Sequence, residues 1–324
     1  MSTDFYQNVV LHEVPRPVVQ HDIFAFLRDT LIEIRDEYNL EPVGSSLTDQ
    51  WPGSQMLQVL TDMAVPLFIV AATICRLIRD ADRPEEGLQT ILQSRNSGRL
   101  SDMGQVYRVV LQATTASTRD ELSKEKLYRE FRKIVGTIIS LAEPLSRIAL
   151  ANLLDMSSGD VQLRLRSLHA VIHMPLEGDA LIRPLHLSFG EYLTSPELQN
   201  DPFSVNAVAT HRMLWGQCLR LLCGPNGLRE NVCDLSYPGQ LRCEVSPAQV
   251  AKHLSPEVCY ACRYWVNHVQ SGAFQLSDGD EIHIFLQNHF LHWLEVLSFL
   301  DRLADAIEFV KLLQSKLAVS KLWD

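Results

Sequence analysis

No Lys/Arg-rich run occurs in this chain of 324 residues, whose formal net charge is −10. Proteins that hold nucleic acid or an anionic membrane surface do so with clustered cations. Neither is expected as a partner here. Long apolar runs are also missing. The most apolar stretch, Met63 to Cys75, has 13 residues, short of the ~20 a membrane helix needs. The start "MSTDFYQNVV" has neither the basic end nor the apolar centre of a signal peptide. The seven cysteines are an odd number in a long chain, so reduced thiols are expected rather than a disulfide framework. These absences predict a cytoplasmic protein.

The patterning that is present is mostly helical, and the length predicts two or three domains. "QNVVLHEV" (Gln7 to Val14) reads as a strand closed by Pro15 and Pro17. Ile23, Phe26, Leu27, Leu31 and Ile34 then follow helical spacing, with Asp22 available as N-cap. Pro66 is read as the first residue of a helix through "PLFIVAATICRLIRD". The polar "TTASTRDE" (Thr114 to Glu121) marks a boundary. After it, Leu127, Phe131, Ile134 and Ile138 share a helical face that Pro144 ends. Two further helices follow, the second with Val161, Leu165, Leu168 and Ile172 on one face. Two strands around Glu177-Gly178-Asp179 complete the series. Three helices and a β-ribbon are the order of a winged helix. Beyond Ser204, helices are expected at 205–222, 256–270, 281–299 and 301–316.

"LHLSFGEYL" (Leu185 to Leu193) carries a capping-box pattern, with Ser188 as cap, Glu191 as its partner, and Leu187 and Tyr192 at the staple positions. That places His186 near a helix start, where an anion is favoured. The competing reading is a histidine satisfied at a strand-to-helix turn. Gln162, Arg164 and Arg166 point outward from the third helix of the winged unit, its expected recognition helix, and offer DNA contacts. From Ser157 to Asn200, however, three arginines face five acids, which disfavours binding to phosphates. Six cysteines lie between Cys218 and Cys262, but only Cys259 and Cys262 have the close spacing zinc prefers. Buried thiols are the better expectation. His283, His289 and His292 lie in an apolar helical run without a general-base pairing. No catalytic constellation is evident.

From Val14 to about Leu317 the chain resembles the segment that follows the nucleotide-binding core in fungal NACHT proteins. These are signal-transduction (STAND) ATPases that include NOD-like receptors and heterokaryon-incompatibility proteins. The resemblance rests on "HDIFAFLRD", "IRDEYNL", "DQWPGS", "MAVPLFIVAATICR", "FRKIVGTIISLAEPLS", "LANLLDM", "VQLRLRSLHAVI", "LHLSFGEYL", "YACRYWVNHV" and "FLQNHFLHWLEVLSFL", in that order. It implies that Pro66 packs beside an adenine and that His186 reaches the β-phosphate of bound ADP. Gly190 departs from the motif, where a larger polar residue is common. None of the fifteen glycines is followed by lysine, so the phosphate loop that would hold ADP or ATP is not represented.

The resulting expectation is a mainly α chain in four parts: a core remnant at 1–20, a helical lid at 21–118, a winged helix with a small β-ribbon at 119–200, and a C-terminal helical bundle at 201–324. It is expected to be regulatory, to have no enzymatic activity and to bind no cofactor alone. Its partners are expected to be proteins, an intact NACHT relative or a second copy among them. The helices at Asp22–Ile34 and Pro66–Ile78 are expected to expose an apolar strip. The rival expectations are a stand-alone protein-binding scaffold and, less favoured, a winged-helix DNA binder.

Overall fold

The computed structural model describes residues 15–94, 102–115, 120–175, 179–237 and 239–316. The strand expected at Gln7 to Val14 and the ribbon tip at Glu177-Gly178 lie outside them. The chain is mainly α-helical with one small antiparallel sheet, as expected. It divides into two compact units, Met1–Arg119 with Leu185–Tyr192, and Asp120–Pro184 with Leu193–Asp324.

The first unit holds α1 (Arg16–Leu40), α2 (Ser54–Ala64), α3 (Phe68–Arg79), α4 (Pro84–Ser94) and α5 (Asp102–Ala113). Pro15 is the N-cap of α1, and Pro17 sits in its first turn. The two prolines therefore open this helix, because a missing N–H costs nothing where no carbonyl precedes it. Asp22 consequently lies inside α1, exposed, and caps nothing. Ile23, Leu27, Leu31 and Ile34 form the buried stripe of α1, packed against Leu57, Leu60 and Met63 of α2 and Val70, Ile74 and Ile78 of α3. The stripe expected to be exposed is thus the unit's core. The large apolar side chains the unit exposes are instead Val18, Ile32, Leu40, Val43, Leu67, Phe68 and Leu187. Thr61 of α2 and Thr73 of α3 are buried at little polar cost, since each hydroxyl donates to the carbonyl four residues back, Leu57 at 2.7 Å and Ile69 at 2.8 Å. The sequence reading assigns no element to the stretch that forms α4 and α5.

Pro66 precedes α3 by two residues, after a cis Val65–Pro66 bond, and Leu67 is the N-cap. The proline belongs to the turn between α2 and α3 rather than to the first helical position.

The second unit begins with α6 (Glu121–Ser140), whose N-cap Asp120 accepts from the Ser123 N–H at 2.8 Å. The chain is extended again at Leu141, before Pro144. There follow β1 (Leu145–Ser146), α7 (Arg147–Leu154), α8 (Ser158–Leu165), a single 3-10 turn, β2 (Ile172–His173) and β3 (Leu181–Pro184). The sheet order is β1-β3-β2, antiparallel throughout, with Leu145 opposite Ile182 and Ile172 opposite Pro184. The expected ribbon therefore gains a third strand before its two helices. Ser157 caps α8, and Val161, Leu165, Leu168 and Ile172 are all buried.

The short helix α9 (Leu187–Leu193) precedes α10 (Ala207–Leu222), α11 (Pro247–His253), α12 (Pro256–Ser271), α13 (Glu281–Phe299) and α14 (Asp305–Gln314). All were expected except α11. The core of these last helices is aromatic: Trp215, Trp265, Phe285 and Trp293 are all fully buried.

The turn after α10 is made by close backbone approach. At Gly227 a Cβ would stand 2.3 Å from the carbonyl oxygens of both Leu221 and Leu222, while the next N–H, of Leu228, donates to Leu222 at 2.7 Å. Any side chain must push the returning chain off the helix end. Gly227→Ala should cost at least about 1–3 kcal/mol, in the range of overpacking changes. A thermal melt of the variant would show it, and an unchanged midpoint would contradict this geometry.

Candidate functional site

The first unit includes the Leu185–Tyr192 segment, so His186 belongs to it together with α5. The helix N-terminus is built differently from the expected capping box. The imidazole is itself the cap: the Ser188 N–H donates to His186 Nδ1 at 3.2 Å, and the Phe189 N–H donates to the His186 carbonyl at 3.3 Å. Ser188 is inside α9, and its Oγ lies 2.7 Å from His186 Nδ1 and 2.7 Å from the hydroxyl of Tyr107 on α5. Leu187 is 75% exposed and makes no staple, whereas Phe189 and Tyr192 are buried against Tyr107 at ring centroid distances of 5.2 and 5.5 Å. The cap moved because histidine's Nδ1, two residues before Ser188, offers the first turn an acceptor where serine was expected to.

This geometry fixes the histidine's chemistry. A backbone N–H can only donate, so Nδ1 must be an acceptor and the neutral ring carries its proton on Nε2. The Ser188 O–H then donates to Nδ1 and the Tyr107 O–H donates to Ser188. Burial raises the Tyr107 hydroxyl above its usual pKa, which keeps it a donor. His186 is exposed and presents one N–H donor held in orientation by two anchored side chains. Such a group can meet an anion's oxygen. The helix behind it adds little, because its Ser188 and Phe189 N–H groups are already bonded within the segment.

Pro66 stands elsewhere in the same unit, exposed, on the turn between α2 and α3. Tyr107 is the residue that reading the sequence missed. It lies 81 residues from Ser188, and no local pattern marks it.

The outward-facing set of α8 is partly engaged. The guanidinium of Arg164 pairs with Glu130 of α6 at 2.5 Å, and Gln162 accepts from Arg147. Arg164 is therefore held by a carboxylate on the neighbouring helix, whereas Arg166 is exposed. Among the cysteines, Cys218 and Cys262 are buried on α10 and α12, while Cys223 and Cys243 are exposed. Burial pushes the Cys218 thiol up to about 12 and raises the Cys262 thiol well above its ordinary value, so both are inert thiols in the core. His289 and His292 stack edge to face on α13, their Nδ1 atoms 3.5 Å apart, while His283 accepts from the Gly279 N–H at the start of that helix. No group of three or more metal-ligating side chains occurs among the described residues. None of the helices among those residues is long and apolar enough to cross a membrane.

No family model matches the chain. No solved structure matches it. The vegetative incompatibility protein HET-E-1 of Podospora anserina is 33% identical over 101 residues, a stretch covering 28% of this chain and 7% of that protein. Over that stretch the chain is similar to a vegetative incompatibility protein.

Proposed function

We propose that this chain is the lid and hinge of a NACHT-type nucleotide switch acting in fungal non-self recognition, regulatory and without enzymatic activity of its own. The observation that carries the reading is the His186 cap, which orients a single N–H donor outward from the first unit. A group so placed suits a phosphate oxygen supplied by a nucleotide held on another polypeptide segment. Partial similarity to a vegetative incompatibility protein supports the biological setting. The helix–strand–helix–helix–strand–strand order of the second unit supports a winged helix between the lid and the C-terminal helices. On this reading ADP or ATP belongs to the complete switch, with His186 on its phosphates and Pro66 beside its base.

A second reading is a protein-binding scaffold, either for an intact NACHT relative or for another copy. It is favoured by Leu67 and Phe68, side by side and both more than 40% exposed where α3 begins. DNA binding is the least supported, since Glu130 occupies Arg164. Partners are therefore proposed to be proteins in the cytoplasm, with neither nucleic acid nor membrane involved.

The purified chain should show no magnesium-dependent turnover of ATP or GTP, because no Gly-Lys phosphate loop is present to stabilise the transferring phosphoryl group. Supplied with a NACHT core from a relative, it should associate in ADP and less well without. Turnover abolished by His186→Ala would contradict the first expectation. Association indifferent to ADP would favour the scaffold reading.

A further inference from the structure

Helices α10 and α12 of the second unit share a seam that contains a chain of hydrogen bonds in which one direction matches every donor with an acceptor. The Ala142 N–H donates to the Tyr260 hydroxyl at 3.2 Å. That hydroxyl lies 3.0 Å from His268 Nε2, and His268 Nδ1 lies 2.9 Å from His211 Nδ1. Tyr260 and His268 are 2% and 1% exposed, and His211 is half-buried. The Ala142 N–H cannot take the buried Tyr260 proton, and His268 Nε2 is the acceptor within reach of it, so the O–H is satisfied by donating to His268 Nε2. The His268 proton must then sit on Nδ1 and be donated to His211, whose own proton sits on Nε2. Every buried donor and acceptor along this path is matched while both rings are neutral.

One added proton breaks the match. If His211 takes it on Nδ1, two N–H groups face each other at 2.9 Å. Relief requires His268 to reverse its tautomer and donate to Tyr260, which leaves the buried tyrosine O–H without an acceptor and a charge at the seam. Nothing nearby compensates for that charge. The groups facing the path are neutral (Cys218 on α10, Tyr264 on α12) or already engaged. Arg212 donates to the carbonyls of Gly272 and Ala273, and Glu143 pairs with Arg263. Neither imidazole is paired with a carboxylate among the described residues.

We propose that Tyr260, His268 and His211 form a proton-sensitive latch that holds α10 against α12 at neutral pH and releases the seam on acidification. Burial lowers the affinity of both rings for protons and brings His268 down to about 3 from its ordinary 6.5. The unfolded chain therefore binds the proton more readily. The contribution to stability is complete above about pH 6.5 and declines as pH falls toward 3. For His268 alone the folded-to-unfolded ratio approaches a roughly tenfold drop per pH unit in the middle of that window, and falls roughly thirtyfold from its neutral-pH plateau by about pH 5.

The test is urea unfolding of the full chain at steps from pH 7.5 to pH 4, wild type beside His268→Gln, followed by tryptophan fluorescence. The wild type should lose stability toward acid more steeply than the variant, by up to tenfold in the ratio per unit. Equal slopes would overturn the latch. A second measurement on the wild type alone covers a variant that does not fold. Ring carbon and proton NMR shifts of His268 should stay at their neutral values down to about pH 4.5. Reversible titration near pH 6.5 with the fold intact would overturn the proposal equally.

Discussion

Trp265→Ala should destabilise the second unit by about 3–5 kcal/mol, the range for removing a large aromatic from a packed core. That is a large fraction of the stability of an ordinary domain, so the variant should be partly unfolded at modest urea concentrations. Trp265 is fully buried at the centre of α12, with ring centroids 5.3 Å from Trp215, 5.3 Å from Phe285 and 5.2 Å from Trp293. It therefore ties α10, α12 and α13 together, and the contacts with Phe285 and Trp293 are edge to face, the arrangement aromatic quadrupoles favour. The truncation leaves a cavity lined by three large rings that cannot collapse into it. Trp265→Phe should cost much less. It keeps most of the apolar contact and also removes an indole N–H that has no partner among the described residues. Urea titration of both variants checks the pair. A loss below about 1 kcal/mol for the alanine variant would show that the three helices are held by something other than this cluster.

The same helices show how far the sequence could be read. The expected ranges at 256–270 and 281–299 agree with α12 and α13 to within a residue, because Ser255-Pro256 and Asp280 stand before their first turns and apolar spacing runs unbroken behind them. Where local signals have two meanings, only the fold chooses between them. Pro15 and Pro17 open α1, so Asp22, expected as its N-cap, lies inside the helix. The strand β1 has two residues, too few for any alternation to register. Arg164 has an outward position in α8, and only the fold brings Glu130, 34 residues earlier, within reach.

The candidate site divides in the same way. His186 was legible as a residue at a helix start, and so was the need for a cap. The register of that cap was not, since a histidine ring and a serine hydroxyl compete for the same N–H and both lie in one short segment. Tyr107 and the tautomer it helps to set are properties of tertiary packing. The seam of His211, Tyr260 and His268 is equally invisible in sequence. Tyr260 and His268 are on one helix two turns apart, and their alignment with His211 depends on how α10 crosses it.

The central claim is that His186 presents its Nε2–H to a phosphate oxygen. Two substitutions separate this from its capping role. His186→Ala removes both the donor and the acceptor that serves the Ser188 N–H, so it should also lower the melting temperature of the isolated chain. His186→Asn keeps a good N-cap acceptor, and its amide N–H, on a shorter side chain, stops short of the position of the imidazole Nε2–H. The decisive measurement is titration of the wild-type chain and of His186→Asn against a separate NACHT core, with and without ADP. A charge-assisted hydrogen bond contributes on the order of 1.5–3 kcal/mol. The asparagine variant should therefore bind roughly ten- to a hundredfold more weakly in ADP, and as well as wild type without nucleotide. Equal affinities in ADP, or the same loss in both conditions, would contradict a phosphate-sensing role and leave His186 as a helix cap.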